Sequence, residues 1–293
     1  MRLFVFGLGY TARAFIRSGR IDWSQVAGTV RQDDKARSLL AEGIRAHRLP
    51  DPSDAPALAA DIRLADAILV SAPPGAEGEP TLSRFRELIA SAPNVSWIGY
   101  LSTTGIYGDQ DGAWVDEATP PKPQSPQSQQ RLAAEQAWLE LGRETGKAVH
   151  VFRLTGIYGP GRNALANLAQ GTARRIVKPG QVFNRIHVDD IAAVLAASLR
   201  HPRAGAVYNV GDDEPAPPQD VVAYAARLAG IAPPPEIPFE TAALSPMARS
   251  FYAENKRVSN RLIKDELGVA LTCPTYREGL RALYEAGEFA QVA

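Results

Sequence analysis

The sequence predicts an α/β fold, a doubly wound parallel sheet of about seven strands with a small carboxyl-terminal lobe. Three observations predict it. Strand-like apolar runs and helix-like periodic segments alternate from the first residues onward. The first run, Leu3 to Phe6, is apolar at every position, as in a strand covered on both faces. It passes straight into Gly7-Leu8-Gly9-Tyr10-Thr11-Ala12, a glycine turn that opens a helix. In a Rossmann-type sheet Gly7 turns the chain, Gly9 lets a pyrophosphate approach the main chain, and Ala12 lets the helix pack close to the strand. Tyr10, Thr11 and Ala12 then carry first-turn N–H groups and the positive end of the helix dipole. A bound dinucleotide is the expectation; an unliganded strand-to-helix turn is what the string alone also allows.

Composition narrows the class. The 293 residues are 45% hydrophobic and 22% charged, ordinary for a globular chain. With 32 basic and 32 acidic residues the formal charge is zero, so neither nucleic acid nor an anionic membrane is an expected partner. Cys273 is the lone cysteine and there are four histidines, so no disulfide and no metal site are expected. The opening apolar run is interrupted at Gly7, unlike a secretory leader, and no uncharged apolar stretch reaches the ~18 residues of a membrane span. A cytoplasmic setting is the default expectation.

Along the chain, Gln25 to Val30 reads as the second strand and ends in Thr29-Val30-Arg31 rather than in an acid. An acid there would accept from the ribose 2′-OH of NAD, whereas a cation suits the 2′-phosphate of NADP. Arg31, with Arg37 as second support, therefore predicts NADP, with NAD the other option; a solvated arginine after a strand is the plain alternative. Asp33 to Leu40 reads as a helix and Ile44 to Leu49 as the third strand. Asp51, Pro52 and Ser53 break the chain before a helix from Pro56 to Leu64. Asp66 to Ala72 is the fourth strand, turned outward by Pro73-Pro74-Gly75. Strands one and four flank the crevice of such a sheet, which places Ala72 and Pro73 beside the cofactor. Leu82, Phe85, Leu88 and Ile89 space a helix over Thr81 to Ser91, and Val95 to Leu101 is the fifth strand.

The fifth strand runs into Ser102-Thr103-Thr104-Gly105-Ile106-Tyr107-Gly108. Hydroxyls at the carboxyl end of a central strand lie where ligands bind, so Thr103 and Tyr107 are candidates to polarise a substrate oxygen; satisfying turn backbone is the alternative role. This stretch, Arg153-Leu154-Thr155-Gly156-Ile157-Tyr158-Gly159-Pro160-Gly161-Arg162, Ile186 to Ala192 and Tyr208 to Asp212 are ordered matches along most of the chain. In them the sequence resembles the extended short-chain dehydrogenase/reductases, the superfamily of NAD-dependent epimerases and dehydratases acting on nucleotide sugars.

The resemblance implies a catalytic Tyr and, four residues on, a Lys at the start of a long helix. Aligned on Pro126 and the Leu132-Ala133-Ala134-Glu135 tail, Gln127 takes the Tyr position and Arg131 the Lys position. Glutamine has no titratable proton. Arg131 keeps the charge and can donate to ribose hydroxyls, but its fork does not place donors as an ammonium does. Either another residue carries the proton, with Tyr107, Tyr158 and His187 as candidates, or the dinucleotide is bound without turnover. The catalytic set is thus Thr103, Tyr107, Gln127 and Arg131; the cofactor set is Gly7, Gly9, Tyr10, Thr11, Ala12, Arg31, Ala72, Pro73, Arg131 and Tyr158.

Lys147 to Leu154 and Gly205 to Val210 supply the last two strands. Between them Gly161 to His187 carries Arg162, Arg174, Arg175, Lys178 and Arg185 but no acid. Two readings stand: a pocket for an anionic small molecule using Tyr107, Arg162, Arg175 and Arg185, or a solvated face. Asp189 and Asp190 read as the cap and first turn of a helix through Leu199. Helices are expected at Asp220 to Ala229, Lys256 to Leu267 and Tyr276 to Ala286, with Pro233 to Pro238 an ordered crossing. The grouping is 1–160 with 187–211 as the dinucleotide domain, and 161–186 with 212–293 as the substrate lobe. The helix Ser128 to Leu141, with Leu132 and Leu139, is a candidate homodimer face. The expected function is an NADP-dependent oxidoreductase or nucleotide-sugar epimerase/dehydratase-like enzyme with a non-standard centre; the alternative is a non-catalytic NADP-binding sensor or scaffold.

Overall fold

The computed structural model describes residues 1–49 and 55–289, and the break expected at Asp51, Pro52 and Ser53 lies outside them. The chain divides into two compact units. The first comprises Met1–Thr103, Pro126–Arg153 and Ala192–Tyr208; the second comprises Thr104–Ser125, Leu154–Ile191 and Asn209–Ala293.

With elements numbered along the whole chain, the first unit holds β1 (Arg2–Phe6), α1 (Tyr10–Arg17), β2 (Gln25–Val30), α2 (Asp33–Ala41), β3 (Arg45–Arg48), α3 (Ala55–Leu64) and β4 (Ala67–Val70). It continues through α4 (Pro80–Ser91), β5 (Trp97–Thr103), α5 (Pro126–Thr145), β7 (Ala148–Leu154), most of α7 (Val188–Arg200) and β11 (Ala206–Val210). Seven strands form a parallel sheet in the order β11-β7-β5-β4-β1-β2-β3, the Rossmann-type arrangement that the sequence predicts. Strand order reverses at β1, which pairs with β2 on one side and β4 on the other. Ligands bind at such a switch point, outside the carboxyl ends of the strands.

Continuous apolar runs make these strands buried on both faces. Phe4 and Phe6 on β1, Ile68 and Val70 on β4, and Ile98 and Tyr100 on β5 share a core with Ile62 of α3, Ile89 of α4 and Trp138 of α5. Burial of such side chains contributes roughly 1.5–3 kcal/mol each. At the β3 edge, Asp61 of α3 takes the place of further apolar packing. Its carboxylate accepts from Gln25 Nε2 at 3.0 Å and Arg45 Nη1 at 2.6 Å, and lies 2.8 Å from His47 Nε2.

The second unit contains β6 (Trp114–Val115), β8 (Gly156–Tyr158), α6 (Ala164–Ala169), β9 (Arg175–Val177), β10 (Arg185–His187), α8 (Pro218–Leu228) and β12 (Glu236–Pro238). It ends in α9 (Pro246–Phe251), β13 (Arg257–Val258), α10 (Arg261–Asp265) and α11 (Tyr276–Glu285). Its strands pair in parallel as β8 with β10, β9 with β12 and β6 with β13. These pairings draw 104–125 and 154–160 into the second unit, whereas the sequence grouping kept them with the first. The proline-rich crossing joins a ladder, since Glu236 to Pro238 pairs with Arg175 to Val177. One expected helix is corrected: Lys256 to Leu267 is β13 followed by the short α10. The Arg257 and Ser259 N–H groups donate at 2.8 Å to Ala113 O and Val115 O, and Val258 N–H donates at 2.8 Å to Asn184 Oδ1. Backbone groups engaged sideways cannot also close helical turns.

Candidate functional site

At the end of β1 the glycine turn is held from two strands. Phe6 O accepts from Ser71 N at 2.8 Å and Ala72 N at 3.0 Å, so the end of β4 lies against the turn. Gly7 has φ +87°, and a Cβ there would sit 2.9 Å from Ala72 N, so only glycine fits. From the other side, Gly7 N–H donates to Thr29 Oγ1 at 2.9 Å and Leu8 N–H to Thr29 O at 3.0 Å. A Cβ on Gly9 would find nothing closer than 3.8 Å, which leaves its flank open. Gly9 is also the N-cap of α1 and makes no side-chain hydrogen bond to the helix. Tyr10, Thr11 and Ala12 form the first turn of α1, whose N–H groups have no acceptors within the helix itself.

Arg31 is exposed just beyond β2 and forms no ion pair among the described residues. Two acids of this region are taken by other cations: Glu42 accepts from Arg13 at 2.7 Å and Arg17 at 2.8 Å, and Asp33 lies 3.1 Å from Arg48. The two cations hold the Glu42 carboxyl below its usual range.

Further along the carboxyl ends of the same sheet, Gln127 is exposed in the first turn of α5. One turn on, Arg131 donates through Nη1 to Leu101 O at 2.8 Å and lies over the Tyr100 ring, 5.9 Å from its centroid. Another turn on, buried Glu135 accepts from Ser102 Oγ and pairs with Arg153 at 3.0 Å. Thr103 is the last residue of β5 and half-buried. Glu79 escaped the sequence reading. Its Oε2 caps α4 by accepting from Leu82 N at 2.5 Å, while burial pushes the carboxyl up, against the opposing pull of that N–H, of Thr81 and, least, of Arg131. The Glu79-Pro80 pair at a helix start was the available signal.

The remaining candidates belong to the second unit. Tyr107 is fully buried and donates to Asn209 Oδ1 at 2.8 Å. Tyr158 donates to Thr275 O at 3.4 Å and packs against α11, where a Cβ on Gly279 would overlap its hydroxyl. Burial raises the phenol, which keeps it protonated. His187 stacks edge-on to Tyr158, with centroids 5.1 Å apart, and its Nδ1 accepts from Asp189 N at 3.3 Å. Burial lowers its imidazole, which keeps the ring neutral.

The basic run is largely committed within this unit. Arg174 donates to Ala243 O at 2.9 Å, Lys178 to Tyr252 O, and Arg185 to Phe183 O at 2.9 Å and Ala216 O at 3.2 Å. Arg175 pairs with Glu236 at 2.6 Å and donates to Pro234 O at 3.1 Å. Arg162 is exposed. Asp190 does more than begin a helix: its carboxylate accepts from Thr272 N at 2.7 Å and Cys273 N at 3.0 Å. Asp212, also missed as a site residue, is buried near the Arg185 charge with Oδ2 unpartnered, and burial pushes its carboxyl up to about 8. Among the described residues no group of three or more His, Cys, Asp or Glu could hold a metal ion, and no helix is long and apolar enough to cross a membrane.

The profile of the NAD dependent epimerase/dehydratase family matches residues 85–211. Protein YeeZ of Escherichia coli K12 is 30% identical over 245 residues, covering 78% of this chain and 84% of its own. The chain belongs to the NAD-dependent epimerase/dehydratase family. Structural similarity extends over nearly the whole length. A solved structure of a functionally unknown conserved protein from Silicibacter pomeroyi DSS is 49% identical, with a TM-score of 0.87 over 98% of this chain and 99% of its own. The GDP-6-deoxy-D-mannose reductase of Pseudomonas aeruginosa is 30% identical over 203 residues, 63% of each chain. In this epimerase/dehydratase chain, Gln127 and Arg131 stand in the first two turns of α5.

Proposed function

We propose that this chain is an NADP-dependent oxidoreductase of the epimerase/dehydratase type, acting on a small anionic substrate such as a nucleotide sugar, with a catalytic centre that does not use a tyrosine–lysine pair. The observation that carries the reading is the uncapped start of α1 beside a turn that admits only glycine at position 7, with Arg31 free of acidic partners at the end of β2. The N–H groups of Tyr10, Thr11 and Ala12 would hold the pyrophosphate, Arg31 the 2′-phosphate, and Ala72 and Pro73 would line the path toward the nicotinamide. When bound, the nicotinamide supplies a hydride donor or acceptor. Arg131 uses Nη1 on Leu101 O and has further N–H donors for ribose hydroxyls. Exposed Arg162 is the substrate contact favoured in the lobe, while Tyr107 is committed to Asn209 and Arg185 and Arg175 shape the surrounding backbone. A homodimer through α5 would rest on Leu132, because Leu139 packs on the core of its own unit.

Calorimetric titration tests the cofactor. NADP should bind at least tenfold more tightly than NAD, and Arg31→Ala should erase the preference. Equal affinity of the native chain for both would remove the role of Arg31. Binding of neither would sink the reading.

Gln127 favours a second reading, a sensor that binds NADP without turnover, because an exposed amide at that place can neither give nor take a proton. Gln127→Tyr combined with Arg131→Lys separates the two. Turnover of nucleotide sugars gained by the double variant, where the native chain shows none, supports the sensor. Native turnover left unchanged by the pair supports the enzyme with another proton carrier.

A further inference from the structure

Buried Thr29 stands where β2 ends, two residues before Arg31, and is tied to the glycine turn by its hydroxyl and its carbonyl. Its hydroxyl oxygen accepts from Gly7 N–H at 2.9 Å and its carbonyl accepts from Leu8 N–H at 3.0 Å. Gly9 N–H is meanwhile turned back onto Gly7 O at 2.7 Å. The three N–H groups of the turn proper are thereby occupied. Anion binding falls to the groups that follow, at the start of α1.

Gly28, the neighbour of Thr29, makes this approach feasible. A Cβ at 28 would lie 2.4 Å from Val5 O and 3.0 Å from Leu8 Cγ, so β2 can close on the turn only without one. Ala72 meets the same turn from β4. A turn held on both flanks fixes the N–H groups that follow it in one geometry, and a ligand then binds without the cost of ordering them.

We infer that Thr29 is a positioning residue for pyrophosphate binding, setting the glycine turn through the Thr29 Oγ1 to Gly7 N–H bond and linking it to the strand end that carries Arg31. This rests on the dinucleotide reading above. Thr29 touches no phosphate in this role; it fixes the groups that do.

The test compares Thr29→Val, which keeps the shape and loses the acceptor, with Thr29→Ser, which keeps the acceptor. Two probes are titrated by calorimetry: NADP, which has the pyrophosphate, and adenosine 2′-monophosphate, which lacks it. Thr29→Val should weaken NADP about tenfold and change adenosine 2′-monophosphate less than about twofold, while Thr29→Ser should stay within about twofold of native for both. Equal weakening of both probes by Thr29→Val would mean general loosening and would overturn the inference, as would unchanged NADP affinity. A native chain that binds adenosine 2′-monophosphate but shows no gain from the rest of NADP would overturn it too. Absence of binding by either probe to the native chain would instead overturn the dinucleotide reading, and this role with it.

Discussion

Asp212 follows β11 with its carboxyl turned inward, one oxygen accepting from Glu214 N at 3.2 Å and the other unpartnered. The Arg185 charge favours ionisation, but burial outweighs it, and the group sits at about 8 rather than in the ordinary carboxylate range. An acid whose folded pKa is raised favours the folded state while the pH lies below its unfolded value near ~4. That advantage is lost as pH rises toward about 8, because folding must hold on to a proton that the unfolded chain releases. Urea midpoints measured from pH 5 to 9 should therefore fall more steeply for the native chain than for Asp212→Asn. Parallel curves would show that Asp212 is ionised in the fold. Nothing local in Gly211-Asp212-Asp213 distinguishes its burial from the exposure of a turn aspartate. The arginines make the same point: Arg175 and Arg162 look alike in sequence, and only the arrival of Glu236, far along the chain, separates them.

At the scale of elements, legibility followed the range of the forces involved. The strands and helices of the first unit were readable because an apolar run or a helical stripe is written into each segment. Short ladders such as β6 with β13 were not, since two residues carry no period and their pairing comes from distant partners. The same cause replaced the expected helix over Lys256 to Leu267. The glycine turn was legible down to the residue, but its clamp was not, because Thr29 and Gly28 look like ordinary strand residues. Gly28→Ala tests that clamp as a property of the strand. Its Cβ would press on Val5 O inside the β1–β2 ladder, where neither backbone can yield, and should cost about 3 kcal/mol of unfolding free energy. A urea midpoint equal to native would show that the strands separate more easily than this spacing suggests.

Across the whole molecule, each unit is assembled from three separated segments of chain. The two-segment grouping read from the sequence could therefore identify the sheet and the family while keeping 104–125 with the first unit, although its strand partner in the second unit arrives more than a hundred residues later. The candidate site was legible in part for the same reason. The half proposed to hold the pyrophosphate lies in one stretch near the amino terminus. The residues around Arg131, Glu79 and Tyr100 come from three elements and were recognised singly or not at all.

The lobe's basic stretch has an electrostatic consequence of its own. Arg174, Lys178 and Arg185 are fastened to backbone carbonyls, which are dipoles and neutralise no formal charge. Added salt has no opposite charge to strip from such fastenings, so they hold at ionic strengths that weaken exposed ion pairs. At low salt their positive field is left unneutralised by these carbonyls, and added salt screens it. An anion would be drawn toward this stretch by cations that are already holding something else, attraction at a distance being separated from grip at contact.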